Sequence, residues 1–223
     1  LVVALGVGVA TTPSRQPVVA AATENVDAEA MTRHLAEAIR FQTVSAARAE
    51  DLNHEALSGL IAWMEVTYPR AHSQLTREVV AGYSLLYTWP GADPSLPPIL
   101  LMSHMDVVPV ENEAEWTHPP FAGVVADGAL WGRGAMDDKS GVVGILEAVE
   151  GLLAEGFVPQ RTVYLSFGHD EETLGEGSLA AAALLRERGV RLSWVLDGEG
   201  LKVGADQGEP LRVEHVLPRG ALG

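Results

Sequence analysis

Apolar residues recur at two spacings along this chain, and the switches between them outline its elements. After Asp27, a good helix cap, Met31, Leu35, Ala38 and Ile39 fall three or four apart, which predicts a helix. A second helix follows Asn53, with Leu57, Leu60, Ile61 and Met64 on one face, and ends before Pro69. Tyr83–Thr88 and Ile99–Met102 are short apolar runs bounded by Pro and Gly, the mark of strands. Val124–Trp131 alternates about Asp127 and Gly128, which predicts a small hairpin. Val142, Ile145, Leu146, Val149 and Leu153 form a helical stripe closed by Gly156. Thr162–Phe167 is almost continuously apolar, as in a strand covered on both faces. An alanine-rich helix, Leu179–Leu185, ends at Gly189, and Trp194–Leu196 is a last short strand. Strands alternating with helices of this length predict an α/β fold whose layered sheet carries sites beyond the carboxyl ends of its strands. No internal repeat or low-complexity segment interrupts the pattern.

The opening Leu1–Ala10 is wholly apolar, about half the roughly 20 residues that a spanning helix needs. It reads as the hydrophobic tail of a signal peptide or anchor, cut short, or as a short buried strand. The first reading favours an exported or membrane-anchored protein. Thr11–Gln16 and the VVAAAT that follows break the periodicity and read as a linker.

The 223 residues suit one full domain or somewhat more. With 30 Asp+Glu against 15 Lys+Arg, the net charge of −15 argues against a nucleic-acid partner, whose phosphates need a basic face. Hydrophobic residues at 47% supply a real core. The absence of cysteine removes disulfides, thiolate metal sites and cysteine nucleophiles together. Any metal here must be held by imidazole and carboxylate.

Chemistry-bearing residues cluster just after the apolar strands. Ile99–Met102 runs into Ser103-His104-Met105-Asp106, and Thr162–Phe167 into Gly168-His169-Asp170-Glu171-Glu172. Trp194–Leu196 runs into Asp197-Gly198-Glu199, and the hairpin into Gly132–Lys139, directly before a helix. These loops bring one imidazole and several carboxylates to one sheet edge, a donor set suited to zinc or a similar divalent ion. In the His-x-Asp, Asp106 can accept a hydrogen bond from the ring nitrogen that is not on a metal. The bland alternative is a helix cap with a surface ion pair at Asp137-Asp138-Lys139 and two solvated charges at Glu171-Glu172. Like charges packed at one edge repel, and a bound cation compensates them most simply.

The segments LLMSHMDVVP, WGRGAMDDKSG, FGHDEETLGEGS and VLDGEG, in this order and spacing, resemble the M20 family of metallopeptidases. They are most similar to its carboxypeptidase S and Gly-X carboxypeptidase branch, which includes N-acyl-amino-acid hydrolases. The resemblance runs from about Asp27, through the helix exit Ile39–Ser45, to about Gly200. It implies the catalytic domain of a layered α/β/α, zinc-exopeptidase-like fold, holding two Zn2+ ions. His104 would bind one metal and Asp106 would orient it. Asp137 would bridge both ions, Glu172 would bind at the second position, and Glu171 would be the general base. Asp197 is favoured over nearby Glu199 as a further ligand. A cis peptide after the bridging aspartate, Asp137–Asp138, is also implied. The substrate would be a small peptide or an N-acyl amino acid, cleaved by water whose proton Glu171 takes and returns to the leaving amine. A related di-zinc aminopeptidase and a non-catalytic binding module are the alternatives.

Members of the family are longer, with an inserted domain used for dimerisation and a late histidine ligand. His215 lies too close to the fourth motif to be that histidine. The chain therefore reads as a fragment clipped at both ends: residues 1–22 a signal or anchor remnant with linker, residues 23–223 the N-terminal part of a catalytic domain. A homodimer would form through the missing domain. Among the other conspicuous residues, His34 and His54 are expected at the surface, and Trp116 and Trp131 in the core. His118 is expected in a packed loop or at the pocket entrance. His169 either touches substrate or holds a structural hydrogen bond. Asp138 and Lys139 are expected as a helix N-terminal charge and its local partner.

Overall fold

Helix α1 (Ala28–Ile39) begins where a cap is expected, the Asp27 carboxylate accepting the Ala30 N–H at 2.9 Å. Asn53 does the same for α2 (His54–Thr67), accepting from the Ala56 N–H at 3.0 Å. Pro69 ends that helix and also opens a short one, α3 (Pro69–Gln74), because its fixed φ and missing N–H suit a first helical position. The computed structural model describes residues 27–198. The expected leader remnant and linker, Glu199 and His215 lie outside the described residues.

The strands β1 (Thr76–Val80), β2 (Ser84–Trp89) and β3 (Ile99–His104) come next, followed by the hairpin β4 (Val124–Ala126) and β5 (Ala129–Trp131). Then come α4 (Lys139–Ala154), β6 (Val163–Gly168), α5 (Glu176–Glu187) and β7 (Trp194–Asp197). The main sheet has the order β1-β2-β6-β3-β7. Strands β3, β6 and β7 run parallel, while β2 is antiparallel to both β1 and β6. Sequence patterning missed β1, whose Thr-Arg-Glu-Val-Val carries charge because it is an edge strand with exposed positions. It turns into β2 through Ala81 and Gly82, both at positive φ.

Helices α1 to α4 cover one face of the sheet. There Leu60, Met64, Ala71, Val143 and Leu146 pack on Leu85, Tyr87, Leu165 and Phe167. Helix α5 covers the other face, where Leu185 and Leu192 meet Leu86, Leu100 and Val195. Successive residues of β2 thus enter opposite cores, which is why its sequence is nearly continuously apolar. The architecture is the expected three-layer α/β/α sheet.

The topology brings the ends of β3, β6 and β7 to one edge. Beyond β3 the chain stays extended: Met105 N donates to Gly168 O at 2.7 Å, and Val107 bridges Val44 in parallel. The exit of α1 is therefore stitched along the loop that follows His104. Thr43 adds to this by donating its hydroxyl to Met105 O at 2.6 Å.

Candidate metal centre

His104 is the last residue of β3, in register with Gly168 at the end of β6. It is almost fully buried, and both ring nitrogens are engaged. Nδ1 lies 3.0 Å from the Asp106 carbonyl and 3.3 Å from its Oδ1, while Nε2 faces Asp137 Oδ1 at 2.9 Å. Asp106, 1% exposed, holds the glutamate pair from below. Its Oδ1 accepts the Glu171 N–H and its Oδ2 the Glu172 N–H, each at 3.1 Å. One buried residue therefore fixes both the imidazole, chiefly through its backbone carbonyl, and the backbone of the Glu171-Glu172 turn, through its carboxylate.

The side chains that converge are His104, Asp137 and Glu172. One donor atom from each lies within 4.8 Å of the other two, the grouping among the described residues able to hold a metal ion. Glu171 Oε2 stands 3.9 Å from His104 Nε2, and its side chain is 46% exposed, so it faces solvent above the cluster. Asp197 ends β7 opposite Met102, on the same sheet face as His104 but outside this group of three.

The electrostatics favour positive charge at this spot. Burial opposes a charged His104, but Asp106, Glu171 and Asp137 outweigh it and raise the imidazole to about 10. Burial also opposes the Asp106 carboxylate, yet His104 and the two glutamate amides prevail and hold it below its usual range. At Glu172, burial and then the charge of Asp137 push the carboxyl upward, against His104 and a hydrogen bond from the Val108 backbone. Carboxylates crowded around one imidazole are relieved by a divalent cation, and nitrogen with oxygen donors suits a borderline ion such as zinc.

The neighbouring residues refine the sequence reading. The Asp137–Asp138 peptide bond is cis, as the resemblance implied. Asp138 caps α4 as expected, accepting the Gly141 N–H at 3.2 Å, but it is also buried and takes the Ser103 hydroxyl at 2.6 Å. Lys139 does not find the local partner expected of it. It is 1% exposed, and its Nζ donates to Ala38 O at 3.0 Å and Phe41 O at 2.5 Å, at the far end of α1. Burial draws its ammonium down to about 7.

Asp170, which the motif reading passed over, accepts the Glu176 N–H at 2.7 Å and the Gly177 N–H at 3.0 Å. It thereby anchors the glutamate turn to the start of α5. His169 takes its structural role: it is buried, with Nδ1 2.7 Å from Ser84 Oγ. His54 is exposed as expected. His34 is not a surface residue, because it sits among Trp63 and Tyr68 and pairs with Glu147. Nor are the two tryptophans core: Trp131 is 36% exposed, and Trp116 lies beneath the Arg133 guanidinium in the loop. His118 packs edge-on to Trp131, in its packed loop. Such long-range partners leave no periodic trace in the sequence.

Residues 100–210 match the Peptidase family M20/M25/M40. The chain belongs to the M20 peptidases. It is 46% identical over 147 residues to the probable carboxypeptidase S-like 2 of Dictyostelium discoideum, covering 65% of this chain and 28% of that one. It is 42% identical over 173 residues to the human N-fatty-acyl-amino acid synthase/hydrolase PM20D1, covering 77% of this chain and 34% of that one. The fold matches the M20 family metallo-carboxypeptidase Sso-CP2 from Sulfolobus solfataricus with a TM-score of 0.58 at 20% identity, over 75% of this chain and 37% of that one. The chain thus spans about a third of the length of the relatives it matches. M20 peptidases are metal-dependent, and the converging His104, Asp137 and Glu172 fit that requirement in donor type and spacing.

Proposed function

We propose that this M20 chain carries the metal-binding part of a hydrolase that cleaves amide bonds of small peptides or N-acyl amino acids. The names of its curated relatives, carboxypeptidase S-like and N-fatty-acyl-amino acid synthase/hydrolase, support that substrate class. His104, Asp137, Glu172 and Asp197 would hold two zinc ions. When bound, such ions lower the pKa of a water and polarise the scissile carbonyl.

The chain's own residues supply the rest. Glu171 is the general base, its carboxylate taking the water's proton and passing it to the departing amine nitrogen. Its backbone is fixed by Asp106, while its side chain leaves the cluster to neighbouring Glu172. Asp106 also holds the His104 ring, leaving Nε2 turned toward Asp137. The observation that carries this reading is the approach of the His104, Asp137 and Glu172 donors to within 4.8 Å of one another, with Glu171 at their rim.

The test compares zinc content and hydrolysis of an N-acyl amino acid and a free dipeptide by wild type and Glu171→Gln. The variant should keep its zinc and lose turnover by about 10²-fold or more. Loss of zinc in that variant would reassign Glu171 as a ligand. A strong preference for the free dipeptide over the blocked substrate would favour an aminopeptidase.

Two further proposals concern the whole protein. The apolar Leu1–Ala10 supports export or membrane anchoring, to be checked by cell fractionation. No described helix is long and apolar enough to cross a membrane. A homodimer is proposed from the family resemblance, and light scattering of the purified protein measures it.

A further inference from the structure

Three of the four proposed ligand loops meet at one buried group that is not itself proposed as a ligand. Ser103 precedes His104, and its hydroxyl donates to Asp138 Oδ2 at 2.6 Å, with the Asp138 carbonyl at 2.9 Å. Asp138 directly follows Asp137. Gly198 directly follows Asp197, and it packs so closely that a methyl group on it would fall inside the radius of Asp138 Oδ2. Gly141, in the first turn of α4, donates its N–H to Oδ1. A Cβ on Gly141 would lie 2.6 Å from Oδ1 and 2.7 Å from Ser103 Oγ. The Asp138 carboxylate, on a residue 2% exposed, is thus enclosed by β3, the exit of β7 and the start of α4.

We propose that Asp138 is a positioning residue whose buried carboxylate sets the spacing of His104, Asp137 and Asp197, and with it the affinity for a divalent cation. It acts through the chain neighbours of those residues. Ser103 and His104 are successive strand residues pointing to opposite faces, so Asp138 grips β3 from the side away from the ligands. The two glycines are the counterpart of this grip. A side chain at either one would push β7 or α4 off the carboxylate. The spacing of ligands depends on such outer contacts because a metal tolerates only small departures in donor distance. This inference rests on the metal-binding reading above.

The experiment measures zinc affinity by competition with a chromophoric chelator, together with the visible absorption of the Co2+-loaded protein. The variants are Asp138→Ala, Asp138→Asn, Ser103→Ala, Gly198→Ala and the double variant Asp138→Ala/Gly198→Ala. Asp138→Ala and Ser103→Ala should weaken zinc binding about 10- to 100-fold and alter the cobalt bands, with far-ultraviolet circular dichroism retained. Asp138→Asn should recover part of the loss, since one oxygen remains to accept. Gly198→Ala should weaken zinc binding alone but add nothing to Asp138→Ala, because the colliding oxygens are then gone.

If the wild type binds no zinc, the metal-binding reading falls and this inference with it. If the wild type binds zinc while Asp138→Ala and Ser103→Ala match it in affinity and cobalt spectrum, Asp138 is a helix cap alone and the proposal is overturned. Should Asp138→Ala fail to fold, Ser103→Ala and Gly198→Ala decide by the same criteria.

Discussion

Asp106 is the residue on which the site's geometry turns. It keeps its charge while buried because the imidazole and two amides surround it. In Asp106→Asn, one amide nitrogen would face a backbone N–H, leaving a buried donor without an acceptor. We expect a loss of about 1–3 kcal/mol in urea denaturation and a 10- to 100-fold weaker zinc affinity by titration. At this scale the sequence is informative about residue types and silent about partners. The His-x-Asp and Glu-Glu motifs expose the chemistry because their short spacing is fixed by the chain. The Asp106 link to the glutamate turn spans 66 residues and has no local signature.

Two ties between elements make predictions of their own. Lys139 joins the start of α4 to the end of α1 by donating to the Ala38 carbonyl in its last turn and the Phe41 carbonyl just beyond it. Lys139→Met keeps the apolar stem but removes both hydrogen bonds, leaving the Ala38 and Phe41 carbonyls their backbone donors from Phe41 and Thr43, and should cost about 0.5–1.5 kcal/mol in chemical denaturation. Arg188, just past α5, holds Glu78 of β1 through two hydrogen bonds at 2.8 and 2.6 Å. Hydrogen bonding to Arg188 keeps the Glu78 carboxyl below its ordinary 4.5. A depressed native pKa means that this stabilisation is complete above about pH 4.5 and fades as pH falls through the native value. Both side chains are partly exposed, so the gain is about 0.2–1 kcal/mol and shrinks in high salt. Denaturation of wild type and Glu78→Gln should therefore differ at pH 7, and the difference should narrow as pH falls below about 4.5.

Elements were legible where local rules act alone. Asp27 and Asn53 mark helix starts because each side chain caps its own turn. Strand β6 shows itself because both of its faces are covered. Strand β1 escaped notice because an edge strand half in water needs no apolar run.

Seen whole, the molecule stores repulsion at one rim and cohesion in two cores. Zinc added at about a hundred times its dissociation constant should stabilise the native state by about 2.7 kcal/mol, and a chelator should reverse this. The measurement is a thermal melt with and without the ion. A shift absent from both wild type and Glu171→Gln would count against metal binding here.

The parallel pairing of β3 with β6 has a kinetic consequence. Asp106 and Glu172 can meet only after a long chain segment, including all of α4, has closed between them. Loop-closure entropy must be met before any of those contacts stabilises the chain, so high contact order delays this part of the sheet. A cation cannot then nucleate the fold from a preformed local turn. A cation at the proposed His104, Asp137 and Glu172 site would bind only once the crossover has docked, so its uptake during refolding would report the pairing of β3 with β6.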